Sequence, residues 1–185
     1  MDANEKRSQF NLSYFLLFAF AVLFVQLTHE FAHWSMSEIL GYDSFLTLNS
    51  SGPLSDYRLP WHAAAVDMAG PAFTVLSALI FFALIVRRRI KILYPFLLMC
   101  FAQRFLASIF GVFAMHNDEA RLSLWINLPP HILPLIVCAF LFVLTFIASK
   151  KLMIGIKENI IDISVIYLFC FGIILLTQMF HWRLI

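Results

Sequence analysis

Two histidines separated by three residues lie in the first long apolar segment of the chain, in the sequence His29-Glu30-Phe31-Ala32-His33. Residues i and i+4 share one face of a helix, so both imidazoles could bind one zinc ion. Glu30 could then contact a zinc-bound water and take its proton as a general base. The alternative is a packed histidine pair in a helix bundle, with Glu30 paired to a basic group. Burying an acidic side chain in an apolar helix is costly, which favours the metal interpretation.

A catalytic zinc site needs a third protein ligand at the same depth as His33. At 1.5 Å per residue, His33 lies ~32 Å along the first apolar segment. The third segment runs in the same direction and reaches that depth near Asp118, which we therefore expect to bind the metal. Asp67, in the second segment, has a matching depth and is the alternative ligand. Three further residues are weaker candidates: His62, His116 and Glu119.

One other charge falls inside an apolar segment, on Arg104 in the third segment. Its long side chain could reach outward towards Asp67. A structural ion pair between Asp67 and Arg104 is therefore a second explanation for both charges. In that case, Asp67 would matter for folding and not for the metal.

The composition predicts a membrane protein. Of 185 residues, 62% are hydrophobic and 13% charged, with a mean hydropathy of +0.85, and a soluble domain needs more polar surface than that. Five apolar segments are long enough to cross or nearly cross a bilayer. They are 10–40, 61–86, 92–115, 131–148 and 160–180. We predict one all-α membrane domain over 1–185, with a three-helix core at 10–120 and two further spanning helices at 121–185.

The segment between the first two apolar segments, 41–60, is not helical in character. Tyr42 to Leu48 is strand-like, and Asn49 to Pro53 is typical of a turn. The segment is therefore either a plain loop or a short hairpin or re-entrant strand beside the site. In the second case, an extended substrate could pair with it. The residues that would position the substrate are Phe45, Leu46, Thr47, Leu48 and Asn49.

Basic residues predict the orientation in the membrane. Nine lie on one side of a five-helix arrangement: Lys6, Arg7, Arg87, Arg88, Arg89, Lys91, Lys150, Lys151 and Lys157. Three lie on the other: Arg58, Arg121 and Arg183. The N-terminus is expected in the cytoplasm, with the C-terminus and the metal site on the extracytoplasmic side. The net charge of +2 does not indicate a nucleic-acid partner.

These features together resemble the site-2 protease family of intramembrane zinc metalloproteases. The resemblance rests on the HEFAH motif at 29–33, on Ala69-Gly70-Pro71 in the second segment, and on an aspartate near the far end of the third. It covers residues 10–120. It implies zinc binding by His29, His33 and Asp118, water activation by Glu30, and close packing of the second helix at Gly70 and Pro71.

The function expected from the motif and the resemblance is hydrolysis of a peptide bond in a membrane-embedded or membrane-proximal substrate. The partners would then be the lipid bilayer and a membrane protein or peptide. Two alternatives stay open on the sequence alone. One is a non-catalytic membrane protein that keeps the HExxH motif for structure or assembly, and the other is a membrane zinc hydrolase that acts on lipid.

Overall fold

The computed structural model describes residues 11–113, 116–180 and 184–185, and helices make up most of them. A short 3-10 turn, Lys91–Leu93, leads into the third helix. The elements in chain order are α1 (Leu12–Ile39), β1 (Ser44–Leu46), β2 (Ser51–Pro53), α2 (Pro60–Arg88), α3 (Tyr94–Phe113), α4 (Asp118–Trp125), α5 (Ile132–Leu152) and α6 (Ile156–Phe180).

Five of the helices, α1, α2, α3, α5 and α6, are long and apolar enough to cross a membrane. Large apolar side chains cover their outer surfaces; Phe20 and Leu168 are 57% and 67% exposed. Lipid can accommodate such side chains, and each helix satisfies its own backbone hydrogen bonds. The predicted all-α arrangement is confirmed at this level, and it is compatible with an integral membrane protein.

The last two helices, α5 and α6, differ from their predicted bounds. The predicted fourth segment ended at Ala148, but α5 continues to Leu152, and α6 starts four residues before the predicted Ile160. Lysines are favourable in the last turn of a helix, where they face the negative end of its dipole. The start of α6 is held by Glu158, whose carboxylate accepts a hydrogen bond from the Gly155 backbone at 2.6 Å.

The central helix of the bundle is α3, whose residues from Leu97 to Cys100 are almost wholly buried. It packs against α1, α2, α5 and α6. In the described part of the chain, the backbones of α5 and α6 seldom approach each other closely, although Asn159 of α6 donates to the Ser149 hydroxyl of α5 at 2.8 Å. They lie on α3 side by side, with space between them.

The segment between α1 and α2 forms an antiparallel hairpin, in which Phe45 lies opposite Gly52. The turn is at Thr47–Ser50, where the Thr47 amide donates to the Ser50 carbonyl at 2.8 Å. The hairpin alternative is therefore confirmed, whereas the turn predicted at Asn49–Pro53 is placed too late. Ser51 is held in β2 because its hydroxyl bonds to α1 through the backbone and side chain of Glu30.

The hairpin and α4 lie at one end of the bundle, and the loops that carry Arg87–Lys91 and Lys150–Lys157 lie at the other. At that second end, Tyr14 of α1 bonds to Asp162 of α6, and Tyr94 of α3 bonds to Asn159. Three residues used in the orientation argument, Lys6, Arg7 and Arg183, lie outside the described residues, as do Phe10 and Met115 at predicted segment ends. The assignment of the basic end to the cytoplasm stays a prediction.

Candidate metal centre

Three side chains meet at the end of the bundle that carries the hairpin: His29 and His33 of α1 and Asp118 of α4. The two Nε2 atoms are 3.1 Å apart, and they lie 3.3 and 3.4 Å from Oδ2 of Asp118. Ligands about 2.0–2.1 Å from a tetrahedral zinc ion are separated from one another by about 3.3–3.4 Å. The triangle of these atoms therefore has the size that a zinc ion requires.

The outer nitrogen of each imidazole is held by α2. Nδ1 of His33 donates to the Val66 carbonyl at 2.6 Å. Nδ1 of His29 lies 2.9 Å from Thr74 Oγ1, whose hydroxyl donates to the Gly70 carbonyl at 3.0 Å and so is left to accept from His29. Both imidazoles, when neutral, therefore carry their proton on Nδ1 and present the Nε2 lone pair to the centre. This is the orientation in which a histidine binds a metal.

Asp118 is ionised at this position. Its two oxygens lie 3.2 Å from Arg104 and 2.9 Å from Arg121, and these positive charges favour the ionised carboxylate. An ionised carboxylate only accepts hydrogen bonds. Three acceptor atoms thus point at one another within 3.4 Å. A metal cation or a shared proton among them would relieve the repulsion between these lone pairs.

Close packing of α2 against α1 brings the histidines to this position. A Cβ atom added to Gly70 would overlap Nε2 of His33 and would lie 2.5 Å from Cε1 of His29. Glycine is therefore required at position 70, where α2 meets both rings. This observation agrees with the close approach that was expected from Ala69-Gly70-Pro71.

Asp118 does not belong to the third spanning helix, as its depth had suggested. It is the first residue of α4, after Asn117, whose side chain accepts the Ala120 amide at 2.9 Å and caps the helix. Acidic residues are favourable in the first turn of a helix because they face the positive end of its dipole. The short helix therefore fixes both the direction and the charge of this carboxylate.

Glu30 is buried beside the triangle but is not one of its three vertices. Its Oε2 accepts from the Ser51 hydroxyl at 2.8 Å, and its Oε1 lies 3.4 Å from Nε2 of Gln26. Gln26 in turn accepts from Nε2 of Gln103 at 2.8 Å, which leaves Oε1 of Gln103 buried with no partner among the described residues. The hairpin and α3 therefore both help to position this carboxylate.

Two arginines neutralise part of the negative charge. Arg104 is buried and contacts Glu119 at 3.1 Å, Asp118 at 3.2 Å and Nε2 of His29 at 3.3 Å. Arg121 contacts Asp67 at 2.6 Å and Asp118 at 2.9 Å. Burial lowers the pKa of Arg121, but the hydrogen bonds that it donates to Asp67 and the negative charge of Asp67 outweigh that effect and raise the pKa. The second arginine thus stays charged and holds the outer oxygen of Asp118.

The expected ion pair between Asp67 and Arg104 is wrong. Asp67 pairs with Arg121, and Arg104 pairs with Glu119 and Asp118. The number of residues along a helix gives the height of a side chain, but it does not give the direction in which that side chain leaves the helix. Asp67 lines the same cleft as the triangle, although the three atoms within ligand distance of one another belong to His29, His33 and Asp118.

The formal charge around the triangle suits a divalent cation. Six charged side chains gather there: Glu30, Asp67, Asp118, Glu119, Arg104 and Arg121. With both imidazoles neutral and all four carboxylates ionised, the two guanidinium groups leave two negative charges. Buried charge of one sign is costly unless it is compensated. One divalent metal ion would make this cluster neutral.

A cleft of about 580 Å³ opens onto these residues. Its walls come from α1, α2, α3, the start of α4, the second half of α6 and the hairpin. Of the five residues expected to position a substrate, Phe45 and Asn49 line the cleft. Leu48 packs against the apolar core, and Thr47 makes the turn. The sequence argument missed residues 50–53 of the hairpin and Gln26 and Gln103, which also line it.

The backbone of Leu46 is engaged by the end of the chain. Its carbonyl accepts from the Leu184 amide at 2.7 Å, and its amide donates to the Ile185 carbonyl at 3.3 Å. Leu46 thus already has an extended partner on the edge of β1 that faces away from β2. Two weaker ligand candidates lie apart from the triangle: His62 bonds to the Tyr42 hydroxyl at 2.6 Å, and the His116 carbonyl accepts from Arg121.

Comparison with known proteins finds no matching family model, no matching curated protein and no matching solved structure.

Proposed function

We propose that the protein is an intramembrane zinc metalloprotease, as the resemblance of its motifs to the site-2 protease family implies. The observation that carries the proposal is the convergence of His29, His33 and Asp118. Their three acceptor atoms lie 3.1–3.4 Å apart, and each imidazole presents Nε2 to the centre. The ionised side chains around them carry a net charge of two negative units. These features support a bound divalent cation better than they support a packed histidine pair.

When bound, zinc would polarise a carbonyl group and lower the pKa of a water molecule. The protein's own contribution would come from Glu30, which does not belong to the ligand triangle and lies next to it in the cleft. Glu30 would take a proton from the attacking water and return it to the leaving amine. Ser51 and Gln26 would hold the two carboxylate oxygens in place for that transfer.

The proposed substrate is a peptide segment at membrane depth. The cleft reaches α6 at Cys170, Ile173 and Ile174, so one of its walls is apolar and belongs to a spanning helix. Its other walls carry amide and hydroxyl groups that could bond to a peptide backbone. Oε1 of Gln103 is a buried acceptor without a partner in the described structure, and it suits an amide N–H of an extended peptide.

The test combines metal analysis with cleavage of a single-span test polypeptide by the purified protein. His29→Ala and His33→Ala should lose most of the bound zinc. Glu30→Gln should keep the zinc while cleavage falls by ~10²-fold or more, because the amide cannot accept the proton. His131→Ala is the matched control, since this histidine is exposed and lies at the start of α5.

The ligand assignment has its own pair of variants. Asp118→Ala should behave as the histidine variants do, whereas Asp67→Ala should keep the zinc. The reverse result would make Asp67 the third ligand and leave the protease proposal standing. Normal cleavage by Glu30→Gln with zinc in place would refute the protease proposal itself.

A further inference from the structure

A second feature of the molecule is the space between α5 and α6, on the side of the bundle away from the hairpin cleft. These two helices both rest on α3 and are joined near their connecting turn by the hydrogen bond from Asn159 to Ser149, and a crevice runs along α3 between them. Two cavities of about 520 and 300 Å³ lie in it. Both are lined by Phe101, Phe142 and Ile163, so they are two parts of one crevice.

The larger part of the crevice is apolar. Phe105, Leu135, Cys138 and Tyr167 line it together with the shared residues. The distance from Leu135 to Lys150 along α5 is ~22 Å at 1.5 Å per residue, more than one leaflet of a ~30 Å hydrocarbon core. An apolar groove of this length suits an extended hydrocarbon chain.

The smaller part of the crevice has a polar end near the basic loops. Lys150, Ser149 and Asn159 line it, and Asn159 donates to the Ser149 hydroxyl at 2.8 Å. Thr145 also lines it and is buried, yet its hydroxyl has no partner among the described residues. An unpaired buried hydroxyl is costly, so a polar group of a ligand at this point would be stabilising.

The charge at this end is positive. Lys150 makes no ion pair within the described residues, and its ammonium group lies 5.5 Å from the centre of the Phe146 ring. Lys151 and Lys157 are close to it in the chain, at the end of α5 and the start of α6. The two acidic residues nearby already accept hydrogen bonds, Glu158 from the Gly155 amide and Asp162 from the Tyr14 hydroxyl. The three lysines outnumber these two carboxylates.

We propose that the crevice binds an anionic phospholipid, with one acyl chain lying along α3 between α5 and α6 and the phosphate beside Lys150. The apolar channel matches the chain, and the unpaired lysine at its mouth matches the anionic headgroup. The site is separate from the metal centre, so it does not depend on the proposed protease activity.

The native cysteines provide a direct test. Cys138 lines the crevice, Cys170 lines the other cleft, and Cys100 is fully buried. The purified protein in detergent is treated with N-ethylmaleimide, and the modification rate of each cysteine is followed by mass spectrometry. Phosphatidylglycerol or phosphatidylcholine with the same acyl chains is added. Phosphatidylglycerol should slow modification of Cys138 about fivefold more than phosphatidylcholine, the effect of one basic residue near an anionic headgroup. Cys170 serves as the internal control and should not change.

Two variants locate the headgroup. Lys150→Gln should abolish the difference between the two lipids, and Lys91→Gln, an exposed lysine at the same end of the bundle outside the crevice, should preserve it. Equal protection by both lipids, or an equal effect of the two lysine variants, would overturn the headgroup assignment. Absence of protection by either lipid, or protection that depends on protein concentration without lipid, would overturn the crevice site as a whole.

Discussion

Replacing Gly70 with alanine is the sharpest test of how the fold makes the metal centre. The new methyl group would overlap His33 Nε2 and lie 2.5 Å from His29 Cε1, whereas an ordinary contact is 3.4–4 Å. At least one imidazole must therefore move by about 1 Å. A misplacement of ~1 Å in an active site can lower the reaction rate about 10²-fold. Loss of the partners that orient a metal ligand lowers metal affinity about 10–100-fold. We expect zinc affinity to fall by about 10²-fold in Gly70→Ala, measured by competition with a chromogenic chelator.

Gly172 provides the matched control, because a methyl group added there would meet nothing within 4 Å. Both glycines lie inside spanning helices, and alanine is the better helix former by ~1 kcal/mol. Gly172→Ala should therefore keep its zinc affinity. Both variants should keep their helix content, measured by circular dichroism. If Gly70→Ala binds zinc as tightly as the unmodified protein, then close packing of α2 does not position the ligands, and our account of the centre is wrong.

Four further outcomes are expected. Asp67→Asn should retain zinc and lose at most ~1 kcal/mol of stability, since the Arg121 side chain is 47% exposed and keeps its contact with Asp118; chemical unfolding measures this. Glu119→Ala removes the main partner of the buried Arg104 and should cost up to about 3 kcal/mol in the same assay, because Asp118 remains 3.2 Å away. Leu184 and Ile185 already bond to the Leu46 backbone, so an extended substrate would pair there only by displacing them. If it does, proline at Leu46 should impair cleavage of a test polypeptide and leave zinc content unchanged, and unchanged cleavage would refute pairing at this position. Reporter fusions should place the loop after α2 in the cytoplasm and the end of α6 outside it, and the opposite pattern would reverse the predicted orientation.

The features that depend on order along the chain were predictable. Length and hydropathy identify the five spanning helices, because crossing the membrane requires a continuous apolar run. The i, i+4 spacing places His29 and His33 on one face, and the depth count brought Asp118 to the level of the triangle. Each of these results uses the geometry of single helices and needs no knowledge of how neighbouring helices are rotated against one another.

The features that depend on rotation about the helix axes were not predictable. By residue count Arg104 lies deeper than Asp67 but within reach of it, yet the two side chains point to different partners, and only the packed bundle determines those directions. The helix α4 has eight residues, too few to show a clear helical period of apolar residues. The ion pair between Glu119 and Arg104 holds it against α3. Likewise, Gly52 and Pro53 are typical turn residues, but they lie in β2 because the Ser51 hydroxyl bonds to α1 and holds the strand there.

The off-centre depth of the metal centre has a consequence for the products of the proposed cleavage. His29 lies 17 residues into α1 from Leu12, or ~26 Å of a hydrocarbon core of ~30 Å. A substrate helix cut at that level would be divided unequally. The longer stub would keep almost the whole apolar span and stay embedded. The shorter stub would keep less than one apolar turn, too little to anchor it, and would leave the bilayer on the side of the hairpin. Cleavage would thus release only the shorter fragment, on the side of the membrane that carries the hairpin. Fractionation of the two fragments between membrane and supernatant would test this.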